Sequence, residues 1–252
     1  VIQWTEDGIS YEADQRHADI IMREMGVRKG KRDLVTPGVK SEGKEEDQRE
    51  LDAIHATKYR ALTARGNYLA QDRTDIQFAV KELTRSMSKP TWEDWNALKR
   101  LARYLRGKPR AVLKYAYQSE GKTLTVWSDT DFAGCRKTRK STSGGVAILG
   151  THVIKSWSST QAVVALSSGE AEYYGLVKSG AQSIGIRSVL QDLGIQVNIV
   201  LKTDASAAKG IGSRKGLGKV RHLEVSQLWL QDKVASKDME VIKVEGKTNR
   251  AD

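Results

Sequence analysis

Carboxylates that close apolar runs are the residues of this sequence best equipped for chemistry. "TLTVWSDTD" leads β-branched and apolar residues into Asp129, with Asp131 two positions on, and "VNIVLKTD" does the same into Asp204. Glu170 and Glu172 open the helical stretch "SGEAEYYGL", and Asp252 follows the run "MEVIKVEG". Adjacent parallel strands finish at the same sheet edge, so their terminal aspartates become neighbours. Like charges gathered in a low dielectric repel strongly, and a divalent cation is the natural compensation. Oxygen-only ligands suit a hard ion that keeps some of its waters, magnesium or manganese rather than zinc. With two ions about 4 Å apart, one activates a water and the other stabilises the leaving oxygen of a phosphodiester. A lone strand-end aspartate is an ordinary turn former or cap, so the constellation carries this expectation. The expected catalytic and metal-binding set is Asp129, Glu172, Asp204 and Asp252, with Asp131 as a turn or supporting residue. Helical periodicity alone does not separate Glu172 from its rival Glu170.

The elements that must hold these groups are legible in outline. "AVLKYAY", "TLTVWSD" and "GGVAILGTHVIKSWSS" read as strands, the last two runs joined by a hairpin turn at Gly150 and Thr151. A helix from "SGEAEYYGL" stops at Gly194; a strand into Asp204, a short helix "ASAAKGI", a longer helix "RHLEVSQLWLQDKV" and a last strand follow. An antiparallel hairpin set joined through helices to parallel strands predicts a mixed sheet in a three-layer α/β domain. Upstream, a short strand pair leads to a helix that stops at Gly26, and residues 27–48 mix Gly, Pro and dense charge as an exposed linker. Helical pattern resumes near Gln48. Thr74 is placed to cap "DIQFAVKELTRSM", and Thr91 to cap "WEDWNALKRLARYLRG" with Asp94 completing a variant capping box. In that last helix Trp95, Leu98, Ala102 and Leu105 form a core-facing stripe, with Lys99, Arg100, Arg103 and Arg106 on another face. The predicted organisation is two domains, residues 1–120 and 121–252.

Net charge is +11 across 252 residues, which favours a polyanionic partner, since each neutralised phosphate releases counterions. Three basic clusters sharpen this: the helix just described with Lys108 and Arg110; Arg136, Lys137, Arg139 and Lys140; and Arg214, Lys215, Lys219 and Arg221. Lys99, Arg100, Arg103, Arg106, Lys137, Arg139 and Lys140 are the expected nucleic-acid contacts. Any one cluster read singly is equally a solvated face. The single cysteine, Cys135, excludes an internal disulfide and a cysteine-built zinc cage. Apolar runs are only a few residues long, so no membrane partner is expected. His17, His55 and His152 are scattered and suggest no metal site, and His222 reads as a structural helix-start residue. A chain that begins on Val1 without a signal or transit pattern reads as a processed or cropped piece.

"SDTDFAGCRKTRKSTSGGVAILG", "VIKSWSSTQAVVALSSGEAEYYGL", "LKTDASAAKGI", "RHLEV" and "NRAD", in that order, resemble the ribonuclease H domain of copia-type long-terminal-repeat retrotransposon polyproteins. Upstream, "VTPGVK" and the stretch "YRALTARGNYLAQDRTDIQFAVKELTRSMSKPTWEDWNALKRLARYLRG" are similar to the thumb and connection that follow the polymerase palm in those polyproteins. The resemblance implies a ribonuclease H-like five-stranded mixed sheet and a two-metal site cutting the RNA strand of an RNA:DNA hybrid. Asp129 would be its first ligand, Glu172, directly before the aromatic Tyr173, the second, Asp204 the third and Asp252 the fourth. Hybrid recognition would rest on shape and 2′-hydroxyl contacts.

The departures from the family pattern are specific. Asp252 ends the sequence, so no helix follows to hold it, and the loop "EGKTNRAD" lacks the histidine that cellular ribonucleases H often carry there. No Tyr-x-Asp-Asp motif occurs, so no polymerase activity is expected of this chain. Its expected partners are an RNA:DNA hybrid or other nucleic acid, the upstream polymerase domain of the same polyprotein, and a larger ribonucleoprotein assembly. The expected location is intracellular, in a cytoplasmic virus-like particle or the nucleus. The alternative is a non-catalytic, domesticated nucleic-acid-binding or scaffolding subunit.

Overall fold

In a computed structural model of the chain, residues 1–27, 33–39, 48–119, 121–135, 137–218, 220 and 222–252 are described. They form two compact units, Val1–Tyr115 and Ala116–Asp252. Expectations that fall on Arg136, Lys219, Arg221 and most of the 27–48 stretch lie outside the described residues.

The first unit is built on a helical core. Strands β1 (Ile2–Thr5) and β2 (Gly8–Glu12) form an antiparallel hairpin, and β3 (Val112–Ala116) joins them in the order β1-β2-β3. Helix α1 (Gln15–Glu24) is capped by the Asp14 side chain and ends before Gly26, whose φ of 63° favours a residue without a Cβ. Helices α2 (Ala53–Leu69), α3 (Gln77–Arg85) and α4 (Trp92–Gly107) follow. Ile21, Tyr59, Leu62, Ile76, Val80, Leu98 and Leu105 pack one continuous core between them. The Thr91–Asp94 capping box forms at the start of α4. Thr74 does not cap α3: residues Thr74–Ile76 make a 3-10 turn and the helix starts only at Gln77. The reason is the buried Arg73, which donates to both carboxylate oxygens of Asp75 and to the carbonyls of Lys108 and Pro109, so this turn serves the end of α4.

The second unit is built on a five-stranded sheet. Strands β4 (Thr123–Asp131), β5 (Thr142–Leu149) and β6 (His152–Thr160) make an antiparallel meander, turning between β5 and β6 at Gly150, φ 61°. Helix α5 (Ser168–Asp192) crosses over to β7 (Asn198–Thr203); α6 (Ser206–Gly212) and α7 (Trp229–Ala235) lead to β8 (Met239–Lys243). The order is β6-β5-β4-β7-β8, with β4, β7 and β8 parallel. This is the α/β mixed sheet with flanking helices of a ribonuclease H-like domain.

Three local expectations change. Strand β4 does not stop at Asp129: β5 stays in register through Asp131↔Thr142, whereas pairing to β7 ends at Trp127↔Lys202. Asp129 therefore lies in mid-strand on one side and beyond the end of its neighbour on the other. "RHLEVSQLWLQDKV" is not one helix, since a 3-10 turn at Val225–Gln227 precedes α7 and His222 lies ahead of both. Finally, α5, α6 and α7 share one core with Leu124, Val126, Ile199, Leu201 and Val241, so the described helices cover one sheet face, making two layers. On the opposite face Trp127 is shielded by Lys202 and Arg250, whose charged ends lie 4.4 and 5.6 Å from its ring centre.

Candidate metal centre

The β4–β7 register sets two of the acidic groups side by side, and α5 presents a third. Oxygen atoms of Asp129, Glu172 and Asp204 all lie within 4.8 Å of one another. Asp129 faces Gly144 across the β4–β5 ladder, and with no side chain there the chain end can cross close by. A Cβ on Gly144 would sit 3.3 Å from the carbonyl of Ala251. That chain end places the buried Asn249 amide 3.0 Å from the Ser128 carbonyl, to which it donates, and 3.5 Å from Asp129 Oδ1. One Asp129 oxygen is thereby steadied from behind.

Glu172 is positioned by the peptide that precedes it. The Ala171 carbonyl accepts from Gln161 Nε2 at 2.8 Å and from Thr130 Oγ1 at 3.4 Å, and Gln161 also donates to Ser143 Oγ. One turn on, Gly175 lets α5 close onto the strand: a Cβ there would lie 2.5 Å from Thr130 Oγ1. The helix start is fixed by Ser167, whose hydroxyl accepts from the Glu170 N–H. Glu172 Oε2 is buried and takes no hydrogen bond among the described residues.

Electrostatics match this crowding. Burial, then the charges of Asp129 and Asp204, push the Glu172 carboxyl up to about 8. Burial, then Asp204 and Asp252, raise that of Asp129. Among the described residues none of Asp129, Glu172 and Asp204 forms an ion pair, so three clustered acids face one another without a cation of the protein's own. The donor set, all carboxylate oxygen with one acceptor left empty-handed, fits a hard divalent ion.

Other candidates fall elsewhere. Asp252 is exposed and stands outside the group of three, although its charge reaches Asp129. Glu170 is 2% exposed and also stands outside the group of three. It accepts from the Leu166 N–H at 2.8 Å and the Tyr174 hydroxyl at 2.8 Å, and meets His222 Nε2 at 2.7 Å. Burial opposes its charge, but these bonds outweigh it and hold the carboxyl below its ordinary value. Lys137, Arg139 and Lys140 lie on the loop after β4, closed by Arg139 N–H to the Cys135 carbonyl and Cys135 N–H to the Lys140 carbonyl. Lys137 and Arg139 are exposed. In the first unit Lys99 is exposed, Arg103 is half-buried, Arg100 donates to Thr36 Oγ1 at 2.7 Å and Arg106 donates to Asp33 Oδ1 at 2.7 Å. The α4 cations are therefore partly engaged within their own unit. Gln161 and Asn249 had no assigned role in the sequence reading, since an amide that holds a distant carbonyl leaves no spacing pattern.

Fold and site together define a ribonuclease H-like domain. No family profile matches the chain. It is 33% identical over 202 residues to the "Retrovirus-related Pol polyprotein from transposon RE2" of Arabidopsis thaliana, covering 78% of this chain and 14% of that polyprotein. The same identity and coverage hold for the polyprotein of transposon RE1 from that plant. Among solved structures, that of LC11-RNase H1, isolated from compost, is similar at a TM-score of 0.36 and 15% identity over 52% of this chain and 90% of the other. The chain is homologous to one stretch of the retrovirus-related Pol polyproteins of copia-type retrotransposons, and it spans 14% of the length of the curated relatives it matches.

Proposed function

We propose that the second unit cuts the RNA strand of RNA:DNA hybrids by metal-dependent phosphodiester hydrolysis, within a retrotransposon reverse transcriptase polyprotein. The observation that carries this reading is the meeting of Asp129, Glu172 and Asp204 oxygens within 4.8 Å, one of them buried without a partner. Asp129, Glu172 and Asp204 would hold two magnesium or manganese ions, and Asp252 would supply a fourth carboxylate from the chain end. When bound, such ions lower the pKa of water and neutralise charge building on the phosphate. Gln161 and Thr130 keep Glu172 aimed at the site, and Asn249 orients Asp129. Lys137, Arg139 and Lys140 meet backbone phosphates and position the duplex without reading its sequence. The first unit, with Lys99, Arg100, Arg103 and Arg106, is read as a thumb and connection that follows the upstream polymerase domain. The reaction would take place inside the cell, in a cytoplasmic virus-like particle or the nucleus.

The test is cleavage of a labelled RNA:DNA hybrid with magnesium or manganese, comparing the chain with Asp129→Asn. Cleavage present in the parent and abolished in the variant supports the nuclease. Hybrid bound tightly but left intact by both would replace it with the non-catalytic scaffold.

A further inference from the structure

We propose that His222 is a positioning residue for Glu172, acting through Glu170; the inference rests on the nuclease reading given above. Glu172 sits between two residues of α5 that reach the same distant piece of chain. Two positions before it, Glu170 meets His222 Nε2 at 2.7 Å, and one position after it, Tyr173 donates its hydroxyl to the Gln227 carbonyl at 2.7 Å. The metal-facing carboxylate is thus bracketed by ties to residues 222–227, which lead into α7.

The two ties are not equivalent. Glu170 is almost wholly buried, and its other two donors, the Leu166 N–H and the Tyr174 hydroxyl, lie four residues before and four after it. Those local bonds shape the helix start but cannot fasten it to the rest of the unit. His222, 52 residues away in sequence, is the donor to Glu170 that comes from beyond the helix start, adding to the ties made at Ala171 and Tyr173, and nearly half of its side chain is open to solvent. Removing it would leave a buried carboxylate short of one charge-assisted partner at the turn that must hold Glu172 still. Partners bonded directly to a metal ligand typically matter about 10- to 100-fold in metal affinity or activity, and His222 acts one step further back, so the low end of that range is expected.

The segment that carries His222 is itself anchored. Gln231, 5% exposed, accepts from the Gly216 N–H and donates to the carbonyls of Gly216 and Ile211. His222 therefore reaches Glu170 from a stretch secured by α7, and the hook has something to pull against.

The experiment compares the full chain with His222→Ala and His222→Gln, a Gln amide offering a donor at similar reach. Three quantities are read: Mn2+ affinity by electron paramagnetic resonance without nucleic acid, kcat and KM on a hybrid, and the melting temperature in chelator. His222→Ala should weaken Mn2+ binding and lower kcat by about 10-fold or more, with KM within about twofold of the parent. His222→Gln should restore most of both. Parent-like Mn2+ affinity and kcat in His222→Ala would overturn the inference. So would equal loss in both variants together with a lowered melting temperature, which marks a general packing role. If the parent chain and Asp129→Asn bind Mn2+ equally poorly and neither cuts, the nuclease reading itself falls and takes this one with it.

Discussion

At the scale of single residues, the clustered carboxylates repel one another, and a cation bound among them would relieve that repulsion. Glu172 has its carboxyl raised to about 8 from an ordinary 4.5 by burial and by its acidic neighbours. In chelator the unfolded chain releases this proton readily and the folded chain resists, so folding stability falls as pH rises from about 4.5 through about 8. Asp129→Asn removes one of the repelling charges. Its melting temperature in chelator should exceed the parent's at pH 8 and converge with it near pH 4; parallel curves at all pH values would refute the coupling. Gln161→Ala should cost about 1–2 kcal/mol, because the Ala171 carbonyl and Ser143 Oγ both lose the donor that ties them together, and urea unfolding would measure it. The sequence showed where acids close apolar runs. Helical periodicity could not separate Glu170 from Glu172; the family pattern chose Glu172, and the three donors gathered around Glu170 show that the other is spoken for.

At the scale of elements, the seat of α5 on β4 decides whether Glu172 arrives. Gly175→Ala would place a methyl 2.5 Å from Thr130 Oγ1 and 3.1 Å from Ser128 Oγ. The helix must lift, at about 1–3 kcal/mol, and the variant should lose hybrid cleavage more than it loses stability. A second prediction concerns the turn after α7. Arg187 and Lys233 hold the Asp238 carboxyl down to about 2 from 3.8, so its contribution is present above about pH 4 and disappears as pH falls through about 2. Asp238→Asn should flatten the acid limb of the stability curve across that window, as acid titration followed by circular dichroism would show. Strand and helix identities were legible wherever alternation or capping signals stood alone, as at Gly150 and Thr91. They failed where a remote partner intervened: Arg73 turned the start of α3 into a 3-10 segment, and the longer β5 partner carried β4 past Asp129. The number of layers formed by the described helices was not legible either, because periodicity marks a buried face without saying what covers the other one.

At the scale of the whole chain, net charge +11 sets how a polyanion is met. Hybrid affinity should fall linearly with salt on logarithmic axes, and Lys137→Ala with Lys140→Ala should make that slope shallower by about 2. An unchanged slope in a titration at several salt concentrations would remove this loop from the interface. The two units have separate apolar clusters, one among α1 to α4 and one between the second sheet and its helices. Chain-wide charge was readable from composition, but its engagement was not: Arg106 and Arg100 are met by Asp33 and Thr36, residues of a stretch whose composition suggested only exposure.

The three clustered carboxylates enter from well-separated stretches of chain, one on the local meander, one on the crossover helix and one beyond β7. Antiparallel neighbours close short loops and form early, whereas the parallel β4–β7 pairing must wait for the crossover to be laid down. A cation that grips all three oxygens therefore has little to hold until the last of these contacts is made. Added manganese should slow unfolding and leave the refolding rate nearly unchanged, so a bound metal would act as a latch on the finished domain and contribute little to assembling it.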